Sequence, residues 1–180
     1  MIQATINKEM IDLLKKLISS RFTSYECAKK YNTTYGNMRI NTDKASVELS
    51  NIQKTIPFFD IEEDIAVLEC FKSDPNTEFK PYCIEPFEQY EVDEIITEIK
   101  IVNDIIDVNH GEYKISFDRA VIFKTDKSTL MFSRDIWFSE VINISENEDY
   151  DAVYSIDEAI EAWSNDGDNK VDIIRTIKVL

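Results

Sequence analysis

Alternation of apolar and polar side chains along residues 112–145 is the feature that most constrains the fold of this chain. Successive side chains of a strand point to opposite faces, so a period of two indicates strands with one buried face. Turn-forming residues at 109–111 and 125–128 separate the segments. We therefore predict an antiparallel meander of three or more strands. Its mainly buried side chains are expected to be Tyr113, Ile115, Phe117, Val121, Phe123, Leu130, Phe132, Phe138, Ile142 and Ile144.

The N-terminal residues 7–20 carry the period of a helix. Met10, Leu14 and Leu17 fall on one stripe, and Asn7 is well placed to cap the first turn. The spacing predicts an amphipathic helix that covers the sheet with its apolar side.

Residues 23–40 admit two interpretations. Thr23 and Glu26 have the Thr-x-x-Glu spacing of a capping box, which predicts a second helix to about residue 31. A hairpin over 38–49 would follow it. Alternatively, 23–40 would form a helix-turn-helix unit whose phosphate contacts are Lys29, Lys30 and Arg39.

Two further segments complete the predicted order of elements. Residues 92–108 combine a helical stripe with many isoleucines, which favours a helix start that gives way to strand. Ser155 and Glu158 form a second capping box and predict a short C-terminal helix, with Trp163 as a companion of Trp137. The expected fold class is α+β: N-terminal helices, a mainly antiparallel sheet or meander, and the C-terminal helix packed on it.

Composition excludes several kinds of site. Three glycines in 180 residues leave no phosphate-binding loop, and a single histidine excludes sites built from several imidazoles. His110 is expected in an exposed turn. Three widely spaced cysteines, an odd number, predict thiols rather than a disulfide scaffold. We therefore expect no catalytic residue, no cofactor and no metal site.

Charge is unevenly distributed along the chain, which carries a net charge of −15. Residues 1–44 hold eight basic and four acidic side chains, whereas residues 45–180 hold twelve basic and thirty-one acidic ones. We predict a single domain, 1–180, with a basic helical part (1–44) and an acidic, sheet-rich part (45–180). Such a field repels nucleic acid and attracts basic proteins, although charge also serves solubility.

These features favour a non-catalytic binding protein of the inhibitor or immunity type, which neutralises a basic protein such as a nuclease toxin. The expected partner-binding residues follow the last strand of the meander, in an acidic loop: Glu146, Glu148, Asp149 and Asp151. One alternative is a mobile-element accessory protein with a DNA-contacting helical N-terminus. A second is an enzyme that uses carboxylates and a divalent metal ion. Without a leader-like or membrane-spanning segment, we expect a cytoplasmic protein.

Overall fold

The computed structural model describes residues 1–28, 31–83, 86–135, 137–164 and 167–180. Across these ranges the chain forms eleven strands and three short helices. In chain order they are β1 (Ile2–Ala4), α1 (Lys8–Lys15), β2 (Arg21–Cys27), β3 (Thr33–Tyr35), β4 (Asn37–Thr42), β5 (Ser46–Phe58), β6 (Ile61–Ser73), β7 (Glu88–Val108), β8 (Tyr113–Thr125), β9 (Thr129–Arg134), β10 (Val141–Glu146), α2 (Tyr150–Val153), α3 (Ile156–Ser164) and β11 (Val171–Val179).

All the strands belong to one sheet, in the order β3-β10-β9-β8-β7-β2-β4-β5-β6, with β11 beside β7 and β1 beside β8. Every pairing is antiparallel except that of β1 with β8. The chain is therefore nearly all β, and the prediction of an α+β fold with N-terminal helices was wrong. Strands from residues 1–44 and from 45–180 share this sheet, so the first part is not a helical unit.

The predicted second helix is the strand β2. It lies between β4 and β7 and pairs with both, so its backbone hydrogen bonds go to neighbours on either side. Glu26, the glutamate of the apparent capping box, accepts hydrogen bonds from the Arg39 guanidinium at 2.7 and 3.2 Å. A Thr-x-x-Glu spacing shows only that a helix start is locally possible. Here the pairing of this segment with two strands distant in sequence decides for a strand instead.

The helix-turn-helix alternative for 23–40 was also wrong, because β2, β3 and β4 occupy the described part of that segment. Arg39 is 6% exposed and is held in a buried ion pair with Glu26, so its guanidinium cannot reach a phosphate. Lys29 and Lys30 lie outside the described residues.

Residues 92–108 are strand throughout, so the predicted helix start was wrong. They belong to β7, which pairs with β2 along its first part and with β8 and β11 along its second. Ile96, Ile99, Ile101 and Ile106 are buried, whereas Ile95 and Ile105 are half-buried. The apparent helical stripe in this segment arose because isoleucine is so frequent in it.

The antiparallel meander over 112–145 was confirmed as β8, β9 and β10. Nine of the ten side chains predicted in its core are buried. Phe138 is the exception: it is 46% exposed and lies with Trp137 in a turn between β9 and β10. A turn residue follows no strand alternation, so the period of two does not apply to it.

Two hairpin turns of this sheet have the same construction. Thr42 caps the β4–β5 turn by accepting from Ala45 N at 3.0 Å, and Thr125 caps the β8–β9 turn by accepting from Ser128 N at 2.8 Å. The strand order runs outward symmetrically from the β2–β7 pair, through β4, β5 and β6 on one side and β8, β9 and β10 on the other. The similar sequences 40–47 and 123–130 thus mark equivalent hairpins in the two halves.

One large apolar core joins these halves. Helix α1 contributes Met10 and Leu14, and edge-to-face ring contacts link β2 with β8 and β9 through Phe22, Phe123 and Phe132. All three cysteines are thiols, as predicted. Helix α3 begins with the predicted capping box, since Ser155 N donates to a Glu158 carboxylate oxygen at 2.7 Å.

The Asn7 cap of α1 offers a first test of the local energetics. The Asn7 side chain accepts a hydrogen bond from Met10 N at 3.0 Å, which satisfies a first-turn donor. We expect Asn7→Ala to lower the free energy of unfolding by about 1 kcal/mol, measured by urea denaturation. Asn7→Asp, which keeps the acceptor, serves as the control. Equal losses in both variants would contradict the capping role.

Candidate binding site

The four acidic residues predicted from the sequence to bind a partner have different roles in the structure. Asp149 caps α2, since its carboxylate accepts from Asp151 N at 3.0 Å. Asp151 pairs with Arg175 Nη1 at 2.7 Å. Glu148 is exposed, and Glu146, at the end of β10, lines a recess in the surface. Of the four predicted residues, the structure therefore brings only Glu146 into a concave site.

This recess, called here the acidic recess, has a volume of about 240 Å³. Strands β2, β7, β9 and β10 and the β8–β9 turn supply its walls. Its lining residues are Tyr25, Tyr90, Glu91, Val92, Glu94, Ser128, Leu130 and Glu146. Three glutamates thus meet two tyrosines, and no basic residue is among the lining side chains that the structure describes.

The carboxylates of the acidic recess have only neutral partners within the described ranges. Glu94 accepts from the hydroxyls of Thr125 and Ser128 at 2.5 and 2.6 Å. Glu91 accepts from the Gln89 amide at 2.6 Å. None of the three glutamates takes part in an ion pair with a described residue. Among the residues that the structure describes, no basic side chain compensates their negative charge.

Aromatic rings form the other wall of the acidic recess. Tyr25 and Tyr90 stack with ring centroids 5.0 Å apart and an interplanar angle of 18°. Burial, with the nearby Cys27, Tyr90 and Glu146 adding, raises the pKa of Tyr25 to about 12. Both an aromatic face and a carboxylate attract a cation, so this arrangement suits a guanidinium or ammonium group.

Other candidate chemistry finds little support in the described residues. No group of three or more His, Cys, Asp or Glu side chains there is placed to hold one metal ion. His110 lies exposed in the β7–β8 turn, as predicted. Burial raises the pKa of the Cys70 thiol to about 12, so this cysteine stays protonated at neutral pH.

Sequence reasoning missed a larger cavity, of about 530 Å³, at the other end of the meander. This aromatic cavity is lined chiefly by Phe58, Phe59, Trp137, Phe138, Tyr154 and Trp163, together with Arg119. The Trp137 and Trp163 rings are in edge-to-face contact with centroids 4.3 Å apart, which confirms the prediction that the two indoles pack together. One available signal was the pair of adjacent charged residues, Asp118-Arg119, in the middle of a strand that otherwise alternates or is apolar there.

Arg119 owes its position to a β-bulge in β8. Ala120 pairs with Val102 and Asp118 with Asn103, so Arg119 is the extra residue between them. Its guanidinium carbon lies 4.1 Å from the Tyr154 ring centroid. Its Nε donates to Tyr150 Oη at 2.9 Å. The bulge thus fixes a buried cation in the wall of an aromatic cavity.

Comparison of this chain with protein-family models, with curated proteins and with solved structures gave no match. Within the described ranges, no helix is long and apolar enough to cross a membrane.

Proposed function

We propose that this chain is a non-catalytic binding protein that captures a basic protein partner, with the acidic recess receiving an arginine or lysine side chain of that partner. The observation that carries the proposal is the set of three glutamates, Glu91, Glu94 and Glu146, beside the Tyr25–Tyr90 stack. The described hydrogen-bond partners of Glu91 and Glu94 are neutral, so a partner's cation would supply a countercharge that the described residues do not.

The recess suits arginine better than lysine. A guanidinium is planar, stacks on an aromatic face and reaches carboxylates with several donors, whereas an ammonium is a strongly hydrated point charge. Affinity at protein interfaces comes from a few desolvated anchors, and arginine is a frequent one. An arginine inserted between the tyrosine stack and the glutamates would be such an anchor.

The surrounding charge would act on the speed of encounter. Residues 45–180 carry nineteen more acidic than basic side chains, and Glu148 lies exposed close to Glu146 in the chain. Such a field steers a basic partner toward the recess and affects association more than dissociation. A small protein of this kind would serve as an inhibitor or immunity-type protein for a basic enzyme such as a nuclease toxin.

The recess variant tests this function. We expect E91Q/E94Q/E146Q to bind a nona-arginine peptide at least about tenfold more weakly than the unchanged protein in about 10 mM salt. The measurement is a calorimetric titration, repeated at about 150 mM salt, where the Debye length falls from about 30 Å to about 8 Å and binding should weaken. The matched control, E62Q/E78Q/E161Q, removes the same charge from exposed positions outside the recess.

The natural partner requires a capture experiment with the same three proteins. Each is immobilised and exposed to lysate of the source cell at low salt, and proteins retained by the unchanged and control chains but lost from the recess variant are identified. The proposal requires that such a protein be basic and associate more slowly with the recess variant. Equal retention by all three chains, or a neutral or acidic partner, would contradict it. If the partner cleaves nucleic acid, an equimolar amount of this chain should stop the cleavage.

A further inference from the structure

The aromatic cavity lies apart from the residues of the proposed partner site, and Arg119 in its wall belongs to a cluster of buried charges. Asp104, only 1% exposed, accepts from Arg175 at 2.7 and 2.8 Å. Arg119 Nε lies 3.9 Å from the same carboxylate. Asp104 is therefore hydrogen-bonded to Arg175 and also forms a longer buried ion pair with Arg119.

A third buried arginine, Arg134, belongs to the same cluster, and the buried carboxylate of Asp118 acts on it as a countercharge. Arg134 is 2% exposed and, like Arg119, lies over the Phe117 ring, with guanidinium carbons 4.8 and 5.2 Å from its centroid. Its Nη2 donates to the Ala66 and Trp137 carbonyls, but Nε and Nη1 have no partner among the described residues. Burial, with the charge of Arg119 adding, lowers the pKa of Arg134 to about 9. Buried guanidinium donors without partners are costly, which makes the neighbourhood of these arginines a candidate place for an anionic ligand.

The guanidinium of Arg119 has a hydrogen-bond donor that an anionic ligand could use. Nε donates to Tyr150, and Nη2 donates to the Asp135 carbonyl at 3.3 Å. No described residue accepts from Nη1, although the residue is only 3% exposed and lines the cavity. The indole Nε1 of Trp137, another lining residue, also has no hydrogen-bond partner among the described residues. Polar donors are thus left over in a wall made mainly of aromatic side chains, which Ala162 and Asn169 complete.

We propose that the aromatic cavity binds a small aromatic carboxylate, with its rings against Phe58, Trp137 and Trp163 and its carboxylate at Arg119. A volume of about 530 Å³ is within the range of small-molecule sites and accommodates two fused rings. A carboxylate matches the planar guanidinium and would accept a hydrogen bond from Arg119 Nη1, which no described residue accepts. Flat rings match the aromatic walls through stacked and edge-to-face contacts.

The chain contains its own reporter for this site. Its two tryptophans, Trp137 and Trp163, both line the aromatic cavity, so intrinsic tryptophan fluorescence reports on this place alone. The probe is 2-naphthoate, and the matched neutral probe is 2-naphthamide, which has the same rings without the charge. We expect 2-naphthoate to change the fluorescence with a Kd below about 1 mM, and the amide to bind at least about tenfold more weakly.

Two variants separate the charge from the cavity. Arg119→Met should bring the affinity for 2-naphthoate down to that for the amide. Ala162→Phe fills the mouth from an exposed, helical position and should abolish binding of both probes. Its control, Ala152→Phe, adds the same ring at an exposed position that does not line the cavity and should bind as the unchanged chain does.

Circular dichroism establishes that each variant is folded. If Arg119→Met does not fold, the comparison of carboxylate with amide and the Ala162→Phe pair decide the question. Absence of binding, equal affinities for the two probes, or unchanged binding in Ala162→Phe would overturn the proposal. The E91Q/E94Q/E146Q variant should bind 2-naphthoate normally, so failure of one proposed site leaves the other standing.

Discussion

Replacing Asp104 by asparagine is expected to lower the free energy of unfolding by about 3–5 kcal/mol, because it removes the carboxylate that compensates buried arginines. Asp104 is 1% exposed, and Arg175 holds it with two hydrogen bonds of 2.7 and 2.8 Å. Without it, the guanidinium groups of Arg175 and Arg119 stay buried with less countercharge. In the unchanged protein burial lowers the pKa of Arg175, but the hydrogen bonds to Asp104 and Asp151 together outweigh burial and raise it.

Urea denaturation of the variant and of a matched control measures this effect. Asp107 lies on the same strand and pairs with Lys114 at 2.7 Å, but this lysine is 42% exposed. Exposed ion pairs contribute little, so Asp107→Asn should cost several times less than Asp104→Asn. Comparable losses in the two variants would show that the buried cluster does not depend on Asp104.

Truncation of Phe123 to alanine is expected to cost about 3–5 kcal/mol, the usual range for a buried phenylalanine. Its ring is fully buried and contacts Phe22 of β2 and Phe132 of β9, with centroids 5.6 and 5.7 Å apart. The cavity left behind would therefore lie between the two halves of the sheet. The loss should appear as a lower denaturation midpoint with an unchanged dependence on denaturant.

Phe71 provides the comparison for this truncation. It lies on β6 and is 43% exposed, so Phe71→Ala removes a ring that is largely in water. We expect a change within about 0.5 kcal/mol for it. If Phe123→Ala were no more destabilising than Phe71→Ala, the core would not be the continuous one described.

The sequence predicted a part of each candidate site. Glu146 was found because it follows a strand with clear alternation. Tyr25 and Glu94 were not, because their segments were interpreted as helical, and the partners that make them strands are distant in sequence. Glu91 lies just before the segment 92–108 and was given no role. Arg119 was missed because a bulge changes the face of one residue without altering the composition of the strand.

Sequence by itself determined the features whose causes are local. The Asn7 and Ser155 caps, the Thr42 and Thr125 turns and the strands of 113–146 depend on side chains within a few residues of one another, and all of these features are present. Only the tertiary structure decided between helix and strand for β2 and the first part of β7. These two segments pair with each other, Arg21 opposite Ile95 and Cys27 opposite Glu88, and so satisfy backbone groups that each would otherwise have satisfied in a helix. The pairing strands lie about sixty to seventy residues apart in the chain, so the local sequence of either one does not show that it is a strand. The acidic recess forms only where these two strands meet.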